Sequence, residues 1–330
     1  MNELGIGVVG AGQAAAFHLT AVGRHPGARL IGVCDVDESR AHDAARSQPS
    51  ECRWTSSLDE MLTWPEIEAV IVCTPSATHA DIGRSAIGAG KHVLVEKPLG
   101  LNLDSVDLLI DTASRAGVVL MPGHTHRFYD YGLSIRAAIP ERVGEPQYAR
   151  LTLLAGWIWG GWSSWVLDPG RSGGHVVHNG VHGLDLVTWW MDDEPVEVAA
   201  VGQKATSAAL QIWDYFEVAV RYRRGGAAVI EVSRGHRPRA AIERGALVAG
   251  TRGILTIPRG GWGGEMSTEA GSSPLGFDAQ SGFDREVAAF VEAVTAGKPP
   301  PVSGADGRRA LAMAIAAEEA ILSGRAVTLQ

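Results

Sequence analysis

Three histidines and an aspartate lie close together in the segment SGGHVVHNGVHGLDL, residues 172–186. His175, His178, His182 and Asp185 follow one another at spacings of three, four and three, which on an α-helix places them on one face. Imidazole and carboxylate groups in such a row can bind a metal or move protons. Both interpretations are open here, and the other motifs of the chain have to decide between them.

The metal interpretation has the weaker support. One straight helix rarely supplies every ligand, because the first and last of the four residues would lie about 15 Å apart along its axis. His178 and His182 have the i, i+4 spacing of zinc-binding helices, and His124 or His126 is a candidate third ligand. This alternative stays open, but we expect no metal.

A glycine-rich turn, VVGAGQAA, follows an apolar run at the start of the chain. Gly10, Gly12 and Ala15 fit the dinucleotide-binding fingerprint: the first permits a tight turn, the second admits a pyrophosphate, and the third allows close packing of helix on strand. The helix that begins here offers free N–H groups. The predicted cofactor contacts of this turn are Gly10, Gly12, Gln13 and Ala14.

Asp35 favours NAD over NADP. It ends the second apolar run, 23 positions after Gly12, where a carboxylate accepts hydrogen bonds from the adenosine ribose and repels a 2′-phosphate. Arg40 is near enough in sequence to reach a phosphate, so it is counted as a candidate cofactor contact and NADP stays possible. A solvated helix face is the other interpretation of Arg40.

Short apolar runs alternate with helix-length segments up to residue 122, which predicts a doubly wound parallel sheet of the Rossmann type. Beyond it, YFEVAVRYR alternates apolar and polar residues, as in an antiparallel strand with one packed face. We therefore predict an NAD(P)-binding domain over 1–122 and an α/β domain with a largely antiparallel, open-faced sheet over 123–330. A helix over 304–323 is expected to pack back on the first domain.

Two further motifs fall at strand ends of the first domain. In VCTPSATH, Thr74 and Pro75 follow the third run, and His79 is either a cofactor contact or a buried polar residue near a helix cap. The fourth run ends in KHVLVEKP, which places Glu96 and Lys97 where ligands bind in doubly wound sheets. We count all five as candidate cofactor contacts.

The motifs GAGQAA, TPSATH, EKP and GGHVVHNGVH, in this order, resemble the Gfo/Idh/MocA oxidoreductases, the group of glucose-fructose oxidoreductase and inositol 2-dehydrogenase. The resemblance runs the whole length of the chain. It implies a Rossmann domain followed by an α/β domain whose sheet often makes oligomer contacts. It also implies a tightly held NAD(P) and a sugar, cyclitol or related polyol as substrate.

The resemblance also assigns catalytic residues. Lys97 matches the lysine beside the reacting hydroxyl, and His182 matches the usual acid/base. His178 stands where the family commonly has Asp, which leaves the proton relay open. We expect His182 to accept the hydroxyl proton, Lys97 to orient the hydroxyl and His178 to support the relay, with the roles of Lys97 and His182 reversed as the alternative.

Candidate substrate contacts follow the fifth apolar run and the tryptophan-rich segment GWIWGGWSSWVLDPG. His126 and Arg127 are expected to face the cleft, with an interdomain salt bridge as the alternative for Arg127. Trp165 is the preferred aromatic wall for a sugar, because it directly precedes the DP and GG elements of the next segment. For Trp157, Trp159 and Trp162, core packing or an oligomer contact is the stronger interpretation. Lys97, His178 and His182 complete the predicted substrate site.

Bulk properties exclude several classes of partner. The net charge is −8 with no long basic run, which argues against nucleic acid. The sparse cysteines indicate a reducing, cytoplasmic setting, and no segment is a good membrane span. We expect a homo-oligomer, either dimer or tetramer. Three functions remain: a polyol dehydrogenase, an NAD-dependent glycosidase or lyase that oxidises its substrate transiently, and a non-catalytic sugar or nucleotide sensor.

Overall fold

The computed structural model describes residues 3–156, 165–204, 210–236, 242–260, 265–268, 271–274 and 279–329. The chain divides into two compact units. The first comprises Met1–Phe128 with Ala279–Arg308, and the second comprises Tyr129–Asp278 with Arg309–Gln330. The chain thus leaves the first unit and later returns to it, a path that differs from the single boundary between residues 122 and 123.

The first unit contains a parallel sheet of six strands in the order β3-β2-β1-β4-β5-β6. This is the strand order of the Rossmann fold and confirms the predicted doubly wound sheet. The strands are β1 (Leu4–Val9), β2 (Ala28–Cys34), β3 (Arg53–Thr55), β4 (Ala69–Val72), β5 (His92–Glu96) and β6 (Leu120–Gly123). The helices between them are α1 (Gln13–Arg24), α2 (Glu38–Arg46), α3 (Leu58–Leu62), α4 (His79–Gly88) and α5 (Leu103–Ala116).

The central strands are apolar throughout because helices cover both faces of a parallel sheet. Every residue of β1 and β4 is buried, including the small glycines of β1. Hydrophobic burial of such continuous runs is the main stabilising contribution to this unit. The same covering explains why the strands were visible in the sequence as short unbroken apolar runs.

The returning segment is α9 (Ala279–Thr295), which packs on α1. The ring of Phe283 stacks on that of Phe17 with centroids 4.9 Å apart. Val287 and Phe290 have no exposed surface and belong to the core of the sheet. Because these apolar side chains complete the first core, the helix belongs to the first unit although it follows the second unit in sequence.

The predicted last helix is α10 (Gly304–Ser323). Its first residues, up to Arg308, belong to the first unit, where Arg308 forms an ion pair with Asp107 at 2.5 Å. The remainder belongs to the second unit, where Glu318 accepts a hydrogen bond from Trp213 Nε1 at 2.8 Å. The helix is therefore shared by both units.

The second unit contains a mixed sheet of nine strands in the order β14-β13-β12-β11-β7-β10-β9-β8-β15. Neighbouring strands run antiparallel except for β7 and β10, which are parallel. The strands are β7 (Pro146–Gly156), β8 (Pro195–Gln203), β9 (Tyr215–Tyr222), β10 (Ala227–His236), β11 (Ile242–Gly250), β12 (Ile254–Gly260), β13 (Glu265–Thr268), β14 (Gly271–Pro274) and β15 (Val327–Thr328).

The alternation in YFEVAVRYR is confirmed by β9. Phe216, Val218, Val220 and Tyr222 are buried, whereas Arg221 is exposed. The helices of this unit are α6 (Asp130–Ala138), α7 (Pro169–Ser172) and α8 (Val181–Met191). Of these, α8 packs on β7 and β10 and therefore covers the apolar face of the sheet.

Two further features bear on the environment of the protein. No helix in the described part of the chain is long and apolar enough to cross a membrane. Cys34, Cys52 and Cys73 all carry free thiols, and burial raises the pKa of Cys34 to about 11. These thiols are therefore protonated near neutral pH.

Candidate active site

The carboxyl ends of the parallel strands bring the sequence motifs of the first unit to one edge of the sheet. Gly10 follows β1, Asp35 follows β2, Thr74 follows β4 after one residue, and Glu96 is the last residue of β5. In a doubly wound sheet this edge is where ligands bind. The topology therefore assembles residues that are up to 86 positions apart in the chain, the interval from Gly10 to Glu96.

The glycine turn leaves room for an anion. Gly10 has a φ of +93°, and a Cβ atom there would lie 2.8 Å from the Cys73 carbonyl oxygen, so only glycine fits. At Gly12 a Cβ would meet no atom within 4 Å, and Gly12 caps α1 without a side-chain hydrogen bond. The uncapped amides of α1 and the open space beside them fit the pyrophosphate of a dinucleotide.

The Asp35 carboxylate is fixed by two backbone amides. Its Oδ2 accepts from the N–H of Ala11 at 2.7 Å, and its Oδ1 accepts from the N–H of Asp37 at 2.9 Å. Arg40 instead forms an exposed ion pair with Asp37 at 3.3 Å. The geometry thus joins the acidic residue directly to the glycine turn, whereas Arg40 belongs to the solvated face of α2.

The turns after β4 and β5 are connected through His79. Its ring is 2% exposed, with Nδ1 2.6 Å from the carbonyl oxygen of Pro98 and Nε2 2.7 Å from that of Thr74. Both ring nitrogens therefore contact the backbone of neighbouring turns. Lys97 is half-buried between Glu96 and Pro98.

Behind Lys97 lies a buried cluster of His18, Glu96 and Glu286. His18 Nε2 is 2.9 Å from Glu96 Oε1, and Glu96 Oε2 accepts from the backbone N–H of Lys97 at 3.2 Å. Glu286 accepts from the Thr125 hydroxyl at 3.0 Å. The potential ligand atoms of the three cluster residues lie within 4.8 Å of one another.

The pKa values of the two carboxyl groups in the cluster are shifted in opposite directions. Burial raises the pKa of Glu96, but the hydrogen bond from His18 and the nearby charges of His18, Lys97 and His79 bring it below its ordinary value. Burial and the neighbouring Glu96 charge raise the pKa of Glu286 well above its ordinary value. We infer that Glu96 is ionised and Glu286 is neutral near pH 7, because a second buried negative charge would be unpaired.

His18 and Glu286 did not emerge from the motifs, and the sequence identifies Glu96 only as a candidate cofactor contact. The available signal was a polar residue on a buried apolar face: His18 lies on α1 and Glu286 on α9, and neither has exposed surface. Such residues are expected to be paired. The sequence could not show that they pair through the end of β5.

The histidine-rich segment of the second unit is not a regular α-helix. Residues Val176–Gly180 form a π-helical turn that precedes α8. A π turn changes the angular spacing between residues, so the condition for one shared face, a regular α-helix through all four residues, is not met. His175 and Asp185 are almost fully buried, whereas His178 and His182 are partly exposed.

The buried His175 has a structural environment. Its Nδ1 donates to the carbonyl oxygen of Trp213 at 2.6 Å, and its ring meets that of Phe216 edge to face. Burial lowers the pKa of His175 to about 3, so this ring is neutral at physiological pH.

The other two histidines of the segment, His178 and His182, are partly exposed. The ring of Trp165 meets that of His178 edge to face, with centroids 5.2 Å apart. Among the described residues, metal-ligating side chains gather in groups of three only at His18, Glu96 and Glu286. The histidines of residues 172–186 therefore do not form such a group.

The two candidate substrate residues after β6 have different settings. His126 is partly exposed, whereas Arg127 is 4% exposed and forms an ion pair with Asp306 at 3.2 Å, inside the first unit. Arg127 therefore forms a salt bridge, as the alternative interpretation expected, but its partner lies in the same unit and not in the other one. Of the tryptophan-rich segment, Trp157, Trp159 and Trp162 lie outside the described residues.

The charge state of Glu286 is testable through stability. Because its pKa is raised in the folded protein, the unfolded chain loses this proton first, and the folded state loses stability as the pH rises from about 4.5 through the folded pKa. We expect Glu286→Gln to match the wild type within about 1 kcal/mol at about pH 5 and to become relatively more stable with rising pH. Melting temperatures across this range provide the measurement.

Glu292→Gln is the matched control, since Glu292 lies on the same helix with an exposed side chain. Its difference from the wild type should stay nearly constant with pH. A Glu286→Gln protein that loses stability relative to the wild type as the pH rises would show that Glu286 is ionised.

Both units match models of one protein family, GFO_IDH_MocA. The model described as "Oxidoreductase family, NAD-binding Rossmann fold" matches residues 4–124. The model described as "Oxidoreductase family, C-terminal alpha/beta domain" matches residues 141–329. The two matches together cover both compact units in the expected order.

Individual relatives agree with this match over nearly the whole chain. Myo-inositol 2-dehydrogenase of Thermotoga maritima is 29% identical, with 98% of each chain covered. Inositol 2-dehydrogenase of Rhizobium meliloti is 28% identical, also with 98% of each covered. The solved structure of GenD2 from gentamicin A biosynthesis, in complex with NAD, is 26% identical with a TM-score of 0.87, and covers 100% of this chain and 97% of GenD2. The chain therefore belongs to the Gfo/Idh/MocA family of NAD-binding oxidoreductases.

Proposed function

We propose that this oxidoreductase oxidises a secondary hydroxyl group of a sugar, cyclitol or glycoside. The observation that carries the proposal is the position of Lys97, which follows β5 at the ligand-binding edge of the nucleotide sheet. Its backbone N–H is held by Glu96. A cation at this position has a direct use in the reaction, because it stabilises the alkoxide character that develops on the substrate oxygen.

Each residue of the proposed mechanism has a separate task. Bound NAD would supply the hydride acceptor, and the free amides at the start of α1 together with Asp35 would hold it. Lys97 orients the substrate hydroxyl, His182 accepts its proton, and His178 supports the transfer of that proton onward. His182 suits this task because an imidazole titrates close to neutral pH. The reversed assignment, with Lys97 as the base, requires positive neighbours or desolvation to favour its neutral form.

Replacing Lys97 tests the mechanism directly. We expect Lys97→Met to lower kcat by at least about a hundredfold, because the positioned polar group is lost. NAD binding, measured by fluorescence or calorimetry, should stay within about a factor of three. Lys298→Met, which removes an exposed lysine from the same unit, is the control. Wild-type turnover in Lys97→Met would contradict the assigned role.

Asp35 supports NAD rather than NADP as the working cofactor. Its carboxylate is anchored beside the glycine turn and presents negative charge where a 2′-phosphate would have to lie. Arg40, the cation that would accommodate such a phosphate, is paired with Asp37. In addition, Val36 exposes 94% of its apolar side chain next to Asp35, as a surface for the adenine ring would.

Asp35→Ser should weaken the preference for NAD. We expect the ratio of kcat/KM for NAD to that for NADP to fall by at least about tenfold, roughly 1.4 kcal/mol, because the repulsive charge is removed. Asp43→Asn, on the exposed face of α2, is the control and should leave the ratio unchanged. An unchanged ratio in Asp35→Ser would remove Asp35 from cofactor selection.

The names of the relatives support a polyol substrate. Two of them are inositol 2-dehydrogenases at nearly full coverage. Within this chain, the ring of Trp165 beside His178 supports an aromatic wall next to the proposed proton relay. His126 is a second proposed contact. The ion pair with Asp306 favours a supporting role for Arg127 over direct substrate binding.

A substrate screen distinguishes the three candidate functions. With inositols, free sugars and glycosides, a dehydrogenase accumulates reduced nicotinamide, and we expect this outcome with NAD. Release of sugar from a glycoside without accumulation of NADH would indicate transient oxidation followed by elimination. Sugar binding without either product would indicate a sensor. The latter two outcomes would each replace the proposed net reaction.

The proposed compartment and the proposed oligomer rest on weaker features. The free thiols support a reducing compartment, which is the basis for proposing a cytoplasmic location. On the second sheet, Val201 of β8 and Ile254 of β12 are more than half exposed, which supports a contact between copies of this chain. Whether the oligomer is a dimer or a tetramer stays a prediction.

A further inference from the structure

His79 has an arrangement that its neutral form cannot satisfy. His79 is the first residue of α4, and it is buried. One ring nitrogen faces the carbonyl oxygen of Pro98, and the other faces that of Thr74. Carbonyl oxygens only accept hydrogen bonds. A neutral imidazole has one N–H donor and one lone pair, whereas a protonated imidazole donates from both nitrogens.

The two distances, 2.6 and 2.7 Å, favour donation from both sides. A neutral ring would place its lone pair against a carbonyl lone pair at one of these contacts, which is repulsive at such short range. The positions of both carbonyl groups therefore match an imidazolium ion.

Other groups around His79 shift its pKa in both directions. Together, the surroundings lower the pKa of His79. Burial is the largest cause and the charge of Lys97 adds to it, whereas the two carbonyl contacts and the Glu96 carboxylate act in the opposite direction. Asp81, in the first turn of α4, adds an exposed negative charge, whereas the amino end of the helix disfavours a cation. Burial by itself favours the neutral ring, but deprotonation would break one of two buried hydrogen bonds and leave a carbonyl group unpaired.

We propose that His79 is a buried imidazolium ion that ties the turn after β4 to the turn after β5 and thereby positions Lys97. Thr74 and Pro98 belong to the two turns, and Pro98 directly follows Lys97. The positive ring also repels the charge of Lys97, so loss of the charge on His79 should raise the pKa of that lysine. His79 is therefore a positioning residue, and only its effect on turnover rests on the proposed dehydrogenase function.

Nitrogen-15 NMR of the full-length protein labelled at histidine tests the charge without any substrate. We expect both His79 nitrogens to show N–H signals from about pH 6 to about pH 8, with no pyridine-type nitrogen. His175 is the reference within the same molecule: it is equally buried, donates to one carbonyl group and is neutral in this range. A pyridine-type nitrogen on His79 at about pH 7 would overturn the proposal.

A neutral replacement tests the effect on Lys97. In His79→Gln, an uncharged amide takes the place of the ring and can still donate hydrogen bonds. The limb of the pH profile of kcat/KM that reports Lys97 should then move to higher pH by about half a unit or more. His42→Gln, in the exposed part of α2, is the control. A limb that stays in place would contradict the charge, even if the variant turns over more slowly.

The two experiments separate this proposal from the proposed function. If the wild type oxidises no polyol, the dehydrogenase proposal fails, while the NMR signals of His79 still decide its charge state. If polyols are oxidised and His79 shows a neutral ring, the imidazolium proposal alone fails. Circular dichroism and thermal melting show whether His79→Gln is folded before its profile is compared.

Discussion

The arrangement of side chains inside the first unit depends on how the buried negative charge of Glu96 is compensated. A carboxylate removed from water costs several kcal/mol after relaxation unless hydrogen bonds and opposite charge replace its hydration. Here His18 contacts one oxygen, and the backbone N–H of Lys97 donates to the other. The compensation thus joins the helix of the glycine turn to the strand that directly precedes the proposed active-site lysine.

The same requirement explains why α9 belongs to the nucleotide-binding unit. Glu286 extends from this helix toward the buried cluster, and a neutral carboxyl group there avoids a second unpaired charge. The apolar neighbours Val287 and Phe290 bury the rest of that helical face in the core. Hydrophobic burial therefore fixes the position of α9, and the polar contacts bring Glu286 close to His18 and Glu96.

In the second unit, buried polar contacts hold the histidine-rich segment. The neutral ring of His175 is fixed by the carbonyl group of Trp213, whose indole N–H donates to Glu318 of α10. One end of the π turn is therefore anchored in the interior. His178 and His182 follow that anchor and are partly exposed, so one segment contains a buried histidine and two histidines that reach the surface.

Sequence reasoning was sufficient where a pattern reports a local and repeated environment. Continuous apolar runs correctly predicted the parallel sheet, and the alternation in YFEVAVRYR correctly predicted a strand with one packed face. The positions of the motifs at strand ends also followed, because strand ends in a parallel sheet share one edge. The π turn and the return of α9 were missed, since neither has a distinctive local pattern.

The sequence by itself determined the family, the Rossmann sheet, and the placement of the glycine turn, Asp35 and Lys97 at its carboxyl edge. These depend on short motifs and on residues close together in the chain. Only the tertiary structure decided that His18, Glu96 and Glu286 share one buried cluster, and that His79 faces two carbonyl groups. The physical reason is that charge states depend on burial and on partners distant in sequence, and packing alone brings those partners within hydrogen-bonding distance.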